Sequence, residues 1–151
     1  MRKQQLEFFK DQFDFYWTGK VPDKFQNRRD IPKNIKFTGY IPYENYIQLM
    51  SQAFAVMALT TEDDCLQCAS YESIGLNIPC ILSDTKAQRD FFEDICIYTS
   101  IESNVIIVAI KNMIRQRNAI MKRIDEFKRI QNKNFDKAVF RLYEMIHSKN
   151  S

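Results

Sequence analysis

The sequence predicts an α/β fold in which a doubly wound parallel sheet carries helices on both faces. Three observations predict it. Phe54 to Leu59 and Cys80 to Leu82 are short and continuously apolar, as strands covered on both faces are. Stretches with apolar residues at helical spacing separate them, and strands joined by such stretches pair in parallel through crossovers. With only 3 Gly and 4 Pro among 151 residues, the chain has too few turn formers for a many-stranded sandwich or barrel.

Residues 2–12 read as a short helix, and the aromatic run Phe13 to Thr18 as a strand stopped by Gly19. The polar stretch holding Pro22 and Pro32 reads as loop. Ile35 to Thr38 is a second short strand, closed by Gly39. From Tyr43 the spacing of Tyr46, Leu49, Met50 and Ala53 predicts a helix, with Pro42 suited to its first turn. After the strand Phe54–Leu59 and the polar Thr60 to Asp64, a helix is expected over Leu66 to Leu76. Asn77 accepts the left-handed cap conformation and Pro79 cannot continue the helix. Cys80 to Leu82 is a strand, Asp90 to Phe92 a short helix and Ile95 to Tyr98 a last strand. Three helical segments then follow, Val105 to Arg115, Ile120 to Ile130 and Phe135 to His147.

The length fits one domain, taken as 1–147 with 148–151 as a tail. Hydrophobic residues at 45% and charged residues at 27% exclude a disordered or fibrous chain. A net charge of +3 is too small to argue for a nucleic-acid partner. No apolar run approaches the ~18 residues of a membrane helix, and no apolar stretch follows the basic N-terminal residues. A cytoplasmic location is the default expectation. In that compartment Cys65, Cys68, Cys80 and Cys96 are read as reduced.

Ligands of open parallel sheets bind beyond the carboxyl ends of the strands. Here the richest such end is Leu59 to Cys68, a strand leading through an acidic loop into a helix start, where free backbone N–H groups suit a phosphate. Glu72 follows Asp64 by eight positions. Carboxylates on either side of a phosphate site fit a ligand with phosphates in the middle and hydroxyls at both ends, as in a nucleotide sugar. The plainer alternative is that the acidic loop only caps the helix. Glu72 resists that reading, since a carboxylate in a largely buried helix needs a partner or a ligand.

The motifs from Ile35 to Phe92, namely Ile-Lys-Phe-Thr-Gly-Tyr-Ile-Pro, Ala-Val-Met-Ala-Leu-Thr-Thr, Asp64-x7-Glu72, Asn77 to Asp84 and Arg89 to Phe92, resemble the C-terminal half of a GT-B glycosyltransferase of the family 4 type. The resemblance spans roughly 13–147. It implies a Rossmann-like domain that binds a nucleotide-sugar donor and transfers the glycosyl group to a saccharide or lipid-linked acceptor, as in polysaccharide biosynthesis. By that resemblance Glu72 binds the ribose hydroxyls. Backbone groups around Cys65, Leu66, Gln67 and Cys68 meet the diphosphate, Asp64 faces the donor sugar, and Gly39 lets the nucleotide approach closely. It implies no metal and no cofactor beyond the nucleotide-sugar substrate.

The sequence also departs from that family. Asp64 stands in place of Glu, Cys65 and Asn77 in place of Gly, and no basic pair for the donor phosphates is evident, Lys20 reading as a solvated lysine. The family's first, central strand and its acceptor-binding domain have no counterpart in the 151 residues, so an acceptor domain in cis or on another chain is the expected partner. A sheet lacking that strand has unpaired edges, and Asp14–Thr18 is expected to close against Phe54–Leu59 unless something else fills the gap. The alternatives are a non-catalytic module of the same fold and a part of a sugar-nucleotide epimerase.

Other features have bland readings. Cys65-x-x-Cys68 follows an acidic loop that disfavours a thiolate, and a zinc site would need the buried Cys80 and Cys96. His147 reads as a terminal surface residue. Eight Lys or Arg residues between Lys111 and Lys133 face only Asp125 and Glu126. Such a stripe suits either a solvated face or peripheral contact with the inner face of a membrane, and the solvated face is preferred.

Overall fold

The fold comes from a computed structural model that describes Phe9 and residues 11–26, 28 and 30–147. The helix expected over 2–12 lies largely outside the described residues. Five strands and five helices follow among them: β1 (Phe15–Thr18), α1 (Asp23–Gln26), β2 (Ile35–Gly39), α2 (Tyr43–Ser51), β3 (Val56–Ala58), α3 (Cys68–Gly75), β4 (Cys80–Ser83), α4 (Lys86–Phe92), β5 (Ile97–Thr99) and α5 (Ser103–His147). The chain is therefore α/β, and every strand pairing is parallel.

The strands form two sheets rather than one. β1 pairs with β2, from Phe15 opposite Ile35 to Trp17 opposite Phe37. The other sheet has the order β3–β4–β5, with Val56 opposite Cys80 and Ile81 opposite Ile97. The expected closure of β1 on β3 does not occur, although Phe13 and Phe54, each two residues ahead of its strand, bring their rings to 5.1 Å. Each strand's hydrogen bonds are directed to its other neighbour, and nothing among the described residues lies in register between them.

The core sits on the three-stranded sheet. All four residues of β4 are buried, so both faces of that strand are covered. α3 brings the small residues Ser70 and Ser73 against it, both with no exposed surface, and the Ser73 hydroxyl lies 2.9 Å from the Cys80 sulfur. α5 packs on β4 and β5 with Ile106, Ala109, Ile110 and Met113, then continues with the fully buried Ile120 and Ile124.

Two elements differ from expectation for local reasons. The loop after Gly19 contains the one-turn helix α1, opened by Pro22, whose carbonyl accepts the Phe25 amide at 2.8 Å. The three helical segments after Ile101 are one helix of 45 residues, since no Gly or Pro interrupts 103–147. Its residues from 131 onward are all exposed. No helix among the described residues is long and apolar enough to cross a membrane.

Candidate functional site

The loop between β3 and α3 is held at both ends by its neighbours. At its start, the Thr60 amide donates to Ser83 Oγ at 2.7 Å, and the Ser83 hydroxyl donates to the Thr60 carbonyl at 2.8 Å. This reciprocal pair ties the carboxyl end of β3 to that of β4. The Glu62 amide donates to Thr60 Oγ1 at 3.0 Å, closing a local turn. Near its far end, the fully buried Gln88 of α4 donates through Nε2 to the Cys65 carbonyl at 3.3 Å. Neither Ser83 nor Gln88 stood out in the sequence. For Ser83, the available signal is a polar residue closing a buried strand beside β3.

α3 starts at Cys68, two residues later than expected, with Gln67 in the cap position and extended backbone. The Gln67 side chain makes no capping bond, and the acidic loop does not cap the helix either. The Ser70 amide bonds the Gln67 carbonyl at 3.0 Å. The first-turn amides of Cys68 and Ala69 thus have no capping side chain among the described residues, as an anion-binding helix start requires. Of the residues around this start, Asp64 and Cys68 are exposed, Cys65 and Gln67 are half-buried, and Leu66 packs on the core.

Glu72 lies one turn into α3 and is half-buried. Its Oε2 accepts a hydrogen bond of 2.9 Å from the Tyr46 hydroxyl of α2. The partner that a carboxylate in this helix needs is thus a tyrosine on the helix that follows β2. Burial, and then the Glu72 carboxylate, push the Tyr46 hydroxyl well above the usual tyrosine range. An ionised carboxylate has about four acceptor positions, so Tyr46 leaves most of Glu72 available to a ligand's hydroxyls.

The Glu72–Tyr46 bond also ties α2, the helix that follows β2, to α3. Gly39 ends β2 at φ +66°, and a Cβ there would meet nothing within 4 Å. The space above it is open, so positive φ alone calls for glycine in the unliganded chain. Just beyond, Tyr40 is 86% exposed, and Tyr43 is exposed with its ring 6.2 Å from that of Tyr46. The exposed Tyr43 ring, beside the tyrosine that holds Glu72, is a second feature that the sequence reading missed.

The basic groups nearby are mostly engaged. Lys86 pairs with Asp90, and that bond, with a smaller contribution from Asp64, raises it above the ordinary lysine value. Lys86 therefore feels the field of the acidic loop. Arg89 forks onto Asp84, with Nη2 to Oδ2 at 2.9 Å, and holds that carboxyl below its usual range. Lys20 is solvated and lies 3.5 Å from Asp23. His147 stacks on Tyr143 at 3.9 Å in the exposed last turn of α5.

The four thiols do not converge. Cys65 and Cys68 lie at the surface loop, whereas Cys80 and Cys96 are buried together, and the neighbouring Cys80 sulfur and burial hold the Cys96 thiol far up. Among the described residues, no three His, Cys, Asp or Glu side chains come together in a way that could hold a metal ion. The arrangement defines an α/β chain with an uncapped helix start, a half-buried carboxylate behind it and the exposed Tyr43 ring beside that carboxylate's tyrosine partner. No protein-family model and no curated protein matches this chain.

Proposed function

We propose that this chain is the donor-binding half of a nucleotide-sugar-dependent glycosyltransferase with the GT-B architecture of the family 4 type, acting with an acceptor-binding domain held elsewhere. The observation that carries the reading is Glu72, a half-buried carboxylate fixed by Tyr46 one turn behind an uncapped helix start at the carboxyl end of a parallel strand. In this reading Glu72 accepts hydrogen bonds from the ribose hydroxyls. The amides of Cys68 and Ala69 receive the diphosphate, and the exposed Asp64 on the pinned loop meets the hydroxyls of the donor sugar.

Gly39 leaves room for the nucleotide, and Tyr40 and Tyr43 offer faces on which a base can stack. Lys86 supplies positive charge near the phosphates once donor binding draws it from Asp90. In this reading, transfer to an acceptor relies on the acceptor-binding domain held elsewhere. Calorimetric titration with uridine, guanosine and adenosine diphosphates and their hexose conjugates tests the reading. Saturable binding to one of these series is expected. Glu72→Ala should weaken it by at least about tenfold, or about 1.4 kcal/mol, with an unchanged circular dichroism spectrum. Indifference to every nucleotide would overturn the proposal.

A further inference from the structure

α5 outruns the body on which it packs. Ile106, Ile110, Met113, Ile120 and Ile124 bury one side of it, whereas every residue from 131 to 147 is exposed. The projecting part is about 26 Å long. Along it Phe135, Val139, Leu142 and Ile146 follow one another at steps of four, three and four, the spacing of a seam along which two helices pack. Leu142 comes about five turns after Ile124, and Ile146 about ten after Ile110, at 3.6 residues per turn. The exposed seam therefore continues the line of the buried one.

Local propensity does not account for this part of the helix. With a single alanine, Ala138, and with Asn132, Asn134, Phe135 and Val139, it is a poor helix former, and a segment of this length needs packing to hold it. The seam side chains and Tyr143 beside them are between 49% and 69% exposed. Together they present roughly 500–600 Å², the upper end for the largest apolar patch of a monomer. Two such faces laid together, with their polar rims, reach the roughly 1,200 Å² at which specific dimers begin. Charge argues against a lipid surface as the occupant. Lys133, Lys137 and Arg141 are set against Asp136 and Glu144, whereas a helix lying on lipid is rich in Lys and Arg.

We propose that residues 131–147 of α5 pair antiparallel with the same segment of a second copy, forming a two-fold dimer. The direction follows from the shared line of the two seams. Since the exposed seam lies on the side of α5 that packs on its own sheet, a parallel partner helix would have to run through that sheet. An antiparallel one leaves the two bodies at opposite ends. The pattern is also its own complement, as a two-fold contact requires. About an axis between Phe140 and Arg141, Phe135 meets the partner's Ile146 and Val139 meets the partner's Leu142. On one flank the Asp136 carboxylate faces the hydroxyl of the partner's Tyr143. Phe140 is exposed too, but it lies among the charged residues on the other side of the helix and takes no part. The proposal rests on α5 and is independent of the donor reading.

Sedimentation equilibrium of the full chain tests it. A monomer–dimer equilibrium is expected, with dimer predominant at about 100 μM. Val139→Glu and Leu142→Lys should each weaken the dimer at least about tenfold. Both side chains are exposed in the single chain, so neither change should unfold it. Phe140→Glu and Glu72→Ala should leave the dimer as it is. Mixing the Val139→Glu and Leu142→Lys chains reads the direction. Antiparallel pairing sets the introduced glutamate against the introduced lysine and restores a mixed dimer, whereas parallel pairing sets each against an apolar residue. A chain that stays monomeric at about 100 μM would overturn the proposal. So would a dimer indifferent to Val139→Glu, one weakened as much by Phe140→Glu, or a mixture that fails to pair.

Discussion

A single hydrogen bond decides how the candidate site is organised. Glu72 was legible in the sequence because a carboxylate between Tyr71 and Ile74 on a short apolar helix stands out against its neighbours. Tyr46 was not, since it lies 26 positions away on another helix and reads there as one more apolar contact. Ser83 and Gln88 were hidden for the same reason, as their bonds to the loop span 23 residues. Tyr46→Phe removes only the hydroxyl and should cost about 1 kcal/mol of stability in chemical denaturation. It should also weaken nucleotide binding several-fold, because Glu72 loses its orientation. The pH dependence has a definite sign. A tyrosine whose folded pKa lies above its unfolded value of about 10 adds stability that is complete below pH 10 and is lost as pH rises beyond it. The alkaline fall of stability should therefore be shallower in Tyr46→Phe than in the parent chain. Equal slopes above pH 10 would show that Tyr46 titrates as an ordinary surface tyrosine.

At the scale of elements, local signals served where a residue's own conformation sets a boundary and failed where only packing does. Asn77 was legible as a left-handed cap, and it stands at φ +60° after α3. Its side chain does more than its backbone conformation implied. Nδ2 donates to Asp125 Oδ1 at 3.0 Å, and Oδ1 accepts from Lys128 Nζ at 2.7 Å, while Lys128 also reaches the Gly75 carbonyl at 2.8 Å. One asparagine thus fastens the end of α3, and with it Glu72, to the middle of α5. The basic stripe on α5 is partly explained in the same way, as Arg117 donates to the Phe54 carbonyl and Arg123 to that of Asp94. The single long helix was not legible, because Asn118, Asn132 and Asn134 resemble breaks although none of them interrupts the backbone ladder. Two substitutions separate the roles of Asn77. Asn77→Gly keeps the left-handed conformation and loses the side-chain bonds, whereas Asn77→Ala loses both. Denaturant midpoints should show Asn77→Ala destabilised by about 2 kcal/mol, with Asn77→Gly destabilised by roughly half as much. Equal losses would mean that the side-chain bonds alone matter.

For the whole molecule, the sequence foretold the α/β class and parallel pairing but not the division of the sheet. Strand signals are local, and whether two strands meet depends on what lies between them. The division predicts unequal stability. β4 is buried at every residue and flanked by a strand on each side, whereas β1 has a single neighbour and three exposed residues out of four. A two-stranded sheet is marginal on its own, and β1–β2 joins the core through Phe9, Phe13 and Phe15, which pack with it, Phe13 meeting Phe54 at 5.1 Å. Opening of that small sheet exposes few apolar contacts, while opening at β4 dismantles the core. In native-state hydrogen exchange, the Trp17 amide, bonded within β1–β2, should therefore exchange at least about tenfold faster than that of Leu82, a gap of about 1.4 kcal/mol or more. Low denaturant should speed exchange at Leu82 more steeply than at Trp17, because only the global opening exposes much surface. If both amides instead merged onto one exchange limit with one denaturant slope, the two sheets would form a single cooperative unit.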